Sequence, residues 1–496
     1  MDKNKYLTCS KNMSEEYCCT IVRLGEILEI PGAKTIAKTI VNGRTIIVSK
    51  NQKEGDIMFY VSNESQINAD FLSVNNQFHD IERNANCGEI EQYLIEHPEL
   101  SDEEKKEYLK YNRGYFNEHG RVKMTRMFNE VSMGYLFPLE FMVKWCPKML
   151  FGFILADMVG YQFDTVNGEN FVKPYVPYKR VKEFKGNKVI SPKLAQYDRL
   201  VPGQFEFNYS TNLFELNMHR FYPETPVIIS NKIHGTSFII GNVLTNKPLW
   251  GGLYEKIFIY LPKFLQKTEK VYDVIYSSRK AIKNQFIRRG KVGYSADLDA
   301  TFDKYYELLK NYIPEGYTMY AEIFGYHEGL NSFIQPLLKG YDYKCEPGKN
   351  KIMPYRVTIT SETGYKKELE ISEVIKFTRD LKNKALANED YDVYDRIFEL
   401  DIMYEGRLCD LYPEIDKTCH WNENFLERIK NDTYRFGMEL DEPLCRNKVP
   451  REGLVFRVIN DPVPEAFKLK TIKFLEKEGK AVDKGIIDAE SIEGYG

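Results

Sequence analysis

The stretch Lys232-Ile233-His234-Gly235-Thr236-Ser237 lies between two apolar runs, at residues 226–230 and 238–240. Two apolar runs separated by a short turn with a glycine are typical of consecutive strands. A lysine at such a turn is either a surface charge or a nucleophile. Taken alone, Lys-x-His-Gly favours the surface charge, so the rest of the chain has to decide between them.

Length and composition allow two or three domains of an ordinary globular protein. The chain has 496 residues, of which 43% are apolar and 28% charged, values usual for globular proteins. The net charge of -3 creates no overall field that attracts nucleic acid. A polyanion would therefore have to bind at local basic patches.

The cysteines and the N-terminal residues indicate the cellular compartment in which the chain is expected. The nine cysteines include no C-x-x-C pair, which predicts reduced thiols in the cytoplasm, or in a host's cytoplasm if the chain is viral. The first 18 residues contain no apolar signal core, and the apolar run at 149–159 is interrupted by Asp157 and too short to span a bilayer. We therefore expect no membrane partner.

Residues 1–150 are predicted to form an OB-like β-barrel that binds nucleic acid. Ser101 and Glu104 have the spacing of a capping box, which predicts a helix at 101–111. Around this helix, turns with glycine or proline separate short segments at 18–24, 26–30, 39–41, 45–48, 56–61, 121–127, 133–138 and 139–143. Many short strands and one helix suit a small closed barrel of the OB type.

Two segments are strongly basic. Residues 151–200 are predicted to be a linker, in which 173–193 contains seven lysines and arginines against one acid, with tyrosine and phenylalanine between them. Residues 267–291 contain eight against two. Phosphate contacts with ring stacking are how proteins hold nucleic acid strands, but solvated linkers and helix faces explain the same charges.

Residues 201–480 are predicted to form a second domain, followed by a tail at 481–496. Its patterns indicate antiparallel sheets with helical inserts, so the predicted fold class is α+β. Strands are expected at 318–324, 355–360, 453–458 and 467–470, and helices at 372–388, 391–401 and 424–430.

Four further stretches with reactive side chains follow Lys232 along the chain. Each of them is common by itself. In order they supply an arginine, a carboxylate, a second carboxylate and a pair of lysines. They are Ser277-Ser278-Arg279-Lys280, Tyr320-Ala321-Glu322-Ile323-Phe324-Gly325, Arg451-Glu452-Gly453-Leu454-Val455-Phe456-Arg457 and Phe467-Lys468-Leu469-Lys470.

This order resembles the covalent nucleotidyltransferase superfamily of RNA ligases, DNA ligases and messenger-RNA capping enzymes. Their motifs are Lys-x-Asp/His-Gly, a central Arg, Glu with Gly, Glu-Gly-x-Val and Lys-x-Lys. DNA ligases and capping enzymes usually have Asp where this chain has His234, and they place an OB domain after the motifs rather than before. The chain is thus similar to the RNA ligase 2 and RNA ligase 5 branch, which implies an ATP-grasp-like nucleotidyltransferase domain.

The resemblance also implies roles for single residues. Lys232 would take AMP from ATP, while Lys468 and Lys470 neutralise the reacting phosphate. Nearby cations and a metal would keep Lys232 uncharged for its attack. Glu452 would bind Mg²⁺ or Mn²⁺ through its hard carboxylate oxygens. Contacts to the nucleotide are expected from His234, Gly235, Arg279, Glu322, Tyr355 and Glu452.

The implied function is an ATP-dependent RNA ligase. It would join 3′-hydroxyl and 5′-phosphate ends through a lysyl-AMP intermediate, as a monomer acting on RNA or on a nicked RNA/DNA duplex with RNA at the 3′ side. A DNA ligase or capping guanylyltransferase uses the same chemistry and is the first alternative. A non-catalytic RNA-binding protein is the second, and it is favoured by Asn231, where such ligases often have glutamate.

Overall fold

The chain divides into two compact units, Met1–Pro177 and Tyr178–Gly496. More than half of the predicted linker, and residues 280–281 and 284–291 of the basic stretch 267–291, lie outside the described residues. Among those that are described, no helix combines the length and apolar character needed to cross a membrane. The computed structural model describes residues 6–11, 13–147, 155–176, 200–209, 211–258, 261–279, 282–283, 296–335, 337, 340–461 and 463–484.

The first unit consists of short strands and four helices within its described residues. Its strands are β1 (Leu7–Thr8), β2 (Cys19–Arg23), β3 (Leu28–Glu29), β4 (Ile36–Val41), β5 (Arg44–Ser49), β6 (Ile57–Ser62), β7 (Ser65–Ile67), β8 (Thr125–Met127), β9 (Glu130–Ser132), β10 (Gly134–Pro138), β11 (Gln162–Phe163), β12 (Thr165–Val166), β13 (Glu169–Asn170) and β14 (Val172–Pro174). Its helices are α1 (Ala69–Val74), α2 (Cys87–Glu96), α3 (Asp102–Tyr111) and α4 (Leu139–Trp145), with 3-10 turns at Ile81–Arg83 and Leu155–Met158.

The sheets of this unit are small and antiparallel. The largest has the order β10-β6-β2-β11, beside β3-β4-β5, β1-β12-β13, β14-β7 and β8-β9. A backbone bond from Met133 N to Thr45 O (3.0 Å) joins β5 to the loop before β10. Within the described residues no sheet closes on itself, so a barrel is not established.

The expected helix at 101–111 is confirmed as α3. The Ser101 side chain accepts a hydrogen bond from Glu104 N, and the Glu104 carboxylate accepts one from Ser101 N at 2.8 Å, which completes the capping box. The predicted element at 139–143 is the beginning of the helix α4.

The second unit contains the remaining elements. Its strands are β15 (Asn212–Leu213), β16 (Pro226–Lys232), β17 (Thr236–Pro248), β18 (Thr268–Ser277), β19 (Ile282–Lys283), β20 (Tyr317–Gly325), β21 (Asn350–Thr360), β22 (Lys366–Glu368), β23 (Ile402–Arg407), β24 (Gly453–Val458) and β25 (Ala466–Lys470). Its helices are α5 (Leu253–Ile257), α6 (Ala296–Leu309), α7 (Ile371–Ala387), α8 (Tyr391–Arg396), α9 (Leu408–Leu411), α10 (Trp421–Lys430) and α11 (Ile472–Asp483), with 3-10 turns at Glu215–Arg220 and Lys263–Leu265.

Two sheets organise this unit, and the Lys-x-His-Gly turn connects them. One sheet has the order β15-β25-β24-β16-β23 and the other β19-β18-β17-β20-β21-β22. Strand β16 ends at Lys232 and β17 begins at Thr236, so the chain leaves the first sheet and enters the second within residues 233–235. The two apolar runs around Lys232 are therefore consecutive strands, as expected, but strands of different sheets.

The mixture of antiparallel sheets and helices confirms the α+β class, with differences at single elements. The helix expected at 391–401 ends at Arg396. Beyond it, Phe398 N donates to Ile352 O (2.8 Å), so the chain pairs with β21 instead of continuing the helix. Helices α6 and α11 were not predicted, and α11 extends to Asp483, past the expected domain end at 480.

Candidate active site

Three neighbouring strands bring two of the predicted lysines together. Lys232 on β16 pairs with Gly453 on β24, and Gly453 pairs with Lys470 on β25. Directly paired residues point to the same face of a sheet, so both lysines project from one face across the glycine. A side chain at Gly453 would meet Leu469 O at 2.0 Å. The glycine of Glu-Gly-x-Val is thus required by the close approach of β25.

Glu452 lies at the centre of the cluster. Its Oε1 atom is 2.7 Å from Lys232 Nζ and 4.0 Å from Lys470 Nζ, while its Oε2 atom is 3.4 Å from His234 Nδ1. The Glu452 side chain is 4% exposed and that of Lys232 is 23% exposed. The structure therefore places three of the predicted site residues around the buried carboxylate of a fourth, Glu452.

The charges in this cluster differ from the sequence-based expectation. Burial acts to lower the pKa of Lys232, but the Glu452 carboxylate opposes burial and the net pKa lies above its usual value. Burial likewise acts to raise the pKa of Glu452, but Lys232 and His234 hold it well below its usual range. Lys232 therefore favours its charged form here, because Lys470 lowers its pKa less than Glu452 raises it. The expectation of an uncharged Lys232 depends also on a bound metal and stays a prediction.

Glu322 on β20 is tied to the turn after Lys232. Gly235 N donates a hydrogen bond to Glu322 Oε1 (3.1 Å), and Gln335 Nε2 donates to Gly235 O (2.6 Å). A side chain at Gly235 would meet Ile323 O at 2.3 Å, so this glycine permits the close approach of β20. Gln335 was missed because it lies in a long loop that carries no motif.

The ring of His234 is held by aromatic neighbours. It is 7% exposed and packs edge-on against Tyr341 and Phe474, with ring centroids 4.8 Å and 5.1 Å away. His234 N donates to Tyr343 Oη at 2.6 Å. His234 thus contributes an oriented imidazole beside Glu452, and its aromatic neighbours, which the sequence did not single out, fix that orientation.

Tyr355 occupies an irregular position on β21. Tyr320 pairs with Arg356 and Ala321 with Pro354, which leaves Tyr355 as the extra residue of a β-bulge. Bulges redirect a side chain relative to its strand. Tyr355 Oη accepts a hydrogen bond from Asn208 Nδ2 (2.6 Å), and the residue lines a cavity that also contains Arg457.

The remaining predicted residues lie at strand ends near these elements. Lys468 is two residues before Lys470 on β25 and shares its face. Arg279 follows β18, two residues beyond the pair of Ser277 with Ile239. Lys280 lies outside the described residues.

A divalent cation fits Glu452 as a single protein ligand. Among the described residues, no group of three or more His, Cys, Asp and Glu side chains could hold a metal. Glu452 Oε2 is nevertheless buried and accepts no hydrogen bond from any described residue. One hard carboxylate completed by water and phosphate oxygens is a usual arrangement for Mg²⁺.

The fold is similar to solved structures of an RNA ligase from Naegleria gruberi. An arginine-to-alanine variant with ATP and Mn shares 16% identity over 92% of this chain and 98% of that chain, with a TM-score of 0.50. The complex with PPi shares 15% identity over 93% and 98%, with a TM-score of 0.49. No family model and no curated protein matches the sequence. The resemblance inferred from the motif order is thus confirmed at the level of the fold.

Proposed function

We propose that the chain is an ATP-dependent RNA ligase that joins 3′-hydroxyl and 5′-phosphate ends through a lysyl-AMP intermediate. The observation that carries the proposal is the Lys232–Glu452 pair at 2.7 Å, with Lys470 and His234 beside it. The lysine supplies the nucleophile once it has left the carboxylate and lost its proton, the carboxylate is a candidate metal ligand, and the second cation neutralises charge on the phosphate. The fold shared with an ATP-bound RNA ligase supports the same reaction.

Lys232 would act in the first step. Its Nζ leaves Glu452, passes a proton to solvent water and forms a bond to the α-phosphorus of ATP, while the bond from that phosphorus to the bridging oxygen breaks and pyrophosphate leaves. Lys468 and Lys470 neutralise the charge that develops on the phosphate oxygens. Glu452, once released, would hold Mg²⁺ or Mn²⁺, and the metal would supply further positive charge at the phosphates.

Other residues would hold the nucleotide. Tyr355, redirected by the bulge, stacks on the adenine. Glu322 accepts hydrogen bonds from the ribose hydroxyls, and Arg279 binds ribose or phosphate. Gly235 allows the backbone to approach the nucleotide closely.

The later steps require the protein to bind nucleic acid. AMP passes to the RNA 5′-phosphate and is displaced by the 3′-hydroxyl, which seals the strand. We assign nucleic-acid binding to residues 1–150 as an OB-like domain. Its short antiparallel sheets are typical of that fold, and a backbone hydrogen bond joins β5 to the loop before β10. The basic stretch 173–193 acts as a linker to the nucleotidyltransferase domain, which begins near residue 201 and includes α11 as far as Asp483. The enzyme acts in the cytoplasm as a monomer on nicked duplexes with RNA at the 3′ side.

Labelling tests the first step. Protein incubated with radioactive ATP, GTP or NAD and with Mg²⁺ or Mn²⁺ should take label from ATP and gain the mass of one AMP. Lys232→Ala should abolish the label, while Lys247→Ala, which removes a half-buried lysine paired with Asp273 at 3.2 Å, should keep it. Label from GTP alone would favour a capping enzyme, and no label from any nucleotide would favour a non-catalytic RNA-binding protein.

Sealing assays test the substrate. Nicked duplexes with every combination of RNA and DNA strands should be sealed only where the 3′-hydroxyl strand is RNA. The fragment 200–496 should still acquire AMP but seal poorly, because it lacks the proposed nucleic-acid-binding unit. Equal sealing by this fragment and the full chain would refute the role of residues 1–150.

A further inference from the structure

A buried carboxylate, Glu442, contacts the residues that precede both Lys232 and Glu452. Asn231 Nδ2 is 3.2 Å from each oxygen of Glu442, and Arg451 Nε is 3.4 Å from Glu442 Oε2. Asn231, Glu442 and Arg451 are 1%, 2% and 3% exposed. One side chain thus joins the strand of the nucleophile to the segment of the metal-binding carboxylate.

The loop around Glu442 fixes this carboxylate independently of the lysine. Leu444 N donates to Glu442 Oε1 (3.1 Å), and Glu442 N donates to Val449 O (2.8 Å). Arg451 is held from its other side by a hydrogen bond from Nη1 to Phe436 O. The bridge formed by Asn231, Glu442 and Arg451 is therefore held by hydrogen bonds of its own, separate from those of β16 and β24.

The backbone ladder alone does not set the Lys232–Glu452 spacing. The last pair between β16 and β24 is Lys232 with Gly453, and Glu452 lies one residue beyond it. On one side Thr471 N donates to Glu452 O at 2.9 Å, which holds the backbone of Glu452 to the end of β25. On the β16 side, the contact from Asn231 through Glu442 to Arg451 joins the two segments.

We propose that Glu442 is a positioning residue that holds Lys232 and Glu452 at the spacing needed for lysine adenylation. This inference rests on the function proposed above. It also explains Asn231: a glutamate at this position would set a second carboxylate against Glu442, whereas the asparagine amide donates to it. The Arg451–Glu442 ion pair is buried, and a buried ion pair is weak evidence for a stabilising role. Its two residues contact the segments that carry Lys232 and Glu452, which favours a positioning role.

Single-turnover adenylation separates positioning from folding. Glu442→Gln and Asn231→Ala should each slow the rate constant of AMP transfer to Lys232 by about 10-fold to 100-fold, because small displacements of reacting groups have effects of this size. The ATP concentration for half-maximal rate should change by less than about twofold, since neither residue is placed against the nucleotide. Glu346→Gln, which removes an exposed carboxylate (71% exposed) paired with Arg446, is the control and should leave both values unchanged.

A purely structural role predicts a different result. It would lower the melting temperature and the fraction of protein that acquires AMP, but the active fraction would react with the wild-type rate constant, and that outcome would overturn the proposal. The double variant Asn231→Asp/Glu442→Gln restores a carboxylate–amide hydrogen bond with its direction reversed. It should react faster than the product of the losses in the single variants Asn231→Asp and Glu442→Gln predicts, and a rate equal to that product would also overturn the proposal.

The wild-type protein distinguishes this inference from the proposed function. If wild-type protein acquires no AMP, the proposed function fails and the positioning role fails with it. If wild-type protein acquires AMP and both single variants keep its rate constant, only the role of Glu442 is refuted.

Discussion

Gly235→Ala tests whether the approach of β17 to β20 at the turn is needed for catalysis. The added Cβ would lie 2.3 Å from Ile323 O and 2.8 Å from Glu322 Cγ. The first of these atoms belongs to the backbone, so the turn has to move away from β20. That movement would break the 3.1 Å hydrogen bond from Gly235 N to Glu322 Oε1.

The expected cost has two parts. Extra volume in a packed region destabilises a protein by about 1–3 kcal/mol. Loss of a hydrogen bond to a charged group costs about 1.5–3 kcal/mol, which corresponds to a rate of AMP transfer about 10-fold to 100-fold lower if the bond holds Glu322 in place for the nucleotide.

Gly241→Ala provides a matched control on the same strand pair. Gly241 pairs with Thr318, and its added Cβ would lie 2.6 Å from Thr318 Oγ1. Both variants should therefore unfold at lower urea concentration than wild type. Only Gly235→Ala should lose adenylation in a single-turnover assay at a temperature where both are folded. Equal losses of rate in the two variants would refute the reasoning, because the effect would then be general destabilisation.

Three further predictions concern the nucleotide pocket and the stability of the second unit. Tyr355→Ala should weaken ATP binding by about 1–3 kcal/mol, the usual value of stacking on a base, while Tyr355→Phe retains it; unchanged half-saturation by ATP in the alanine variant would exclude stacking. Glu328→Gln should lower the free energy of unfolding at pH 7 by about 2 kcal/mol. Burial opposes ionisation of Glu328, but Arg396 holds its pKa below the usual value. The loss of unfolding free energy in Glu328→Gln should therefore persist above about pH 4.3 and shrink as the pH falls below that value. Thr471→Ala should cost about 1 kcal/mol in urea unfolding, because its side chain caps α11 by accepting a hydrogen bond from Phe474 N; Thr471→Ser should be close to wild type.

The order of motifs was sufficient to predict which residues meet around Lys232. Short-range patterns marked Lys232, Glu452 and Lys470 as ends of strands, and the structure joins these ends through adjacent strands. The pairing of β16 with β24 could not be predicted from the sequence, because more than two hundred residues separate the two strands and no local signal specifies a partner at that distance.

The bridge through Glu442 could not be predicted for a related reason. Glu442 lies in an irregular loop, and its importance comes only from the burial of Asn231 and Arg451 against it. The sequence also does not reveal that Glu452 lies 2.7 Å from Lys232, where its carboxylate raises the pKa of this lysine. Helix α11 was missed since the motif pattern ends at Lys470, although Thr471 is a regular N-cap residue.

Helix α11 affects where a fragment of the second unit can end, because it carries a carboxylate that contacts Lys470. Lys470 Nζ is 3.2 Å from Glu478 on this helix but 4.0 Å from Glu452, and Phe474 packs against the His234 ring. A fragment that ends at Lys470 would retain all five sequence motifs and yet lack Glu478, whose carboxylate lies closer to Lys470 than that of Glu452 does. A fragment designed to test adenylation should therefore include α11, which carries both Phe474 and Glu478.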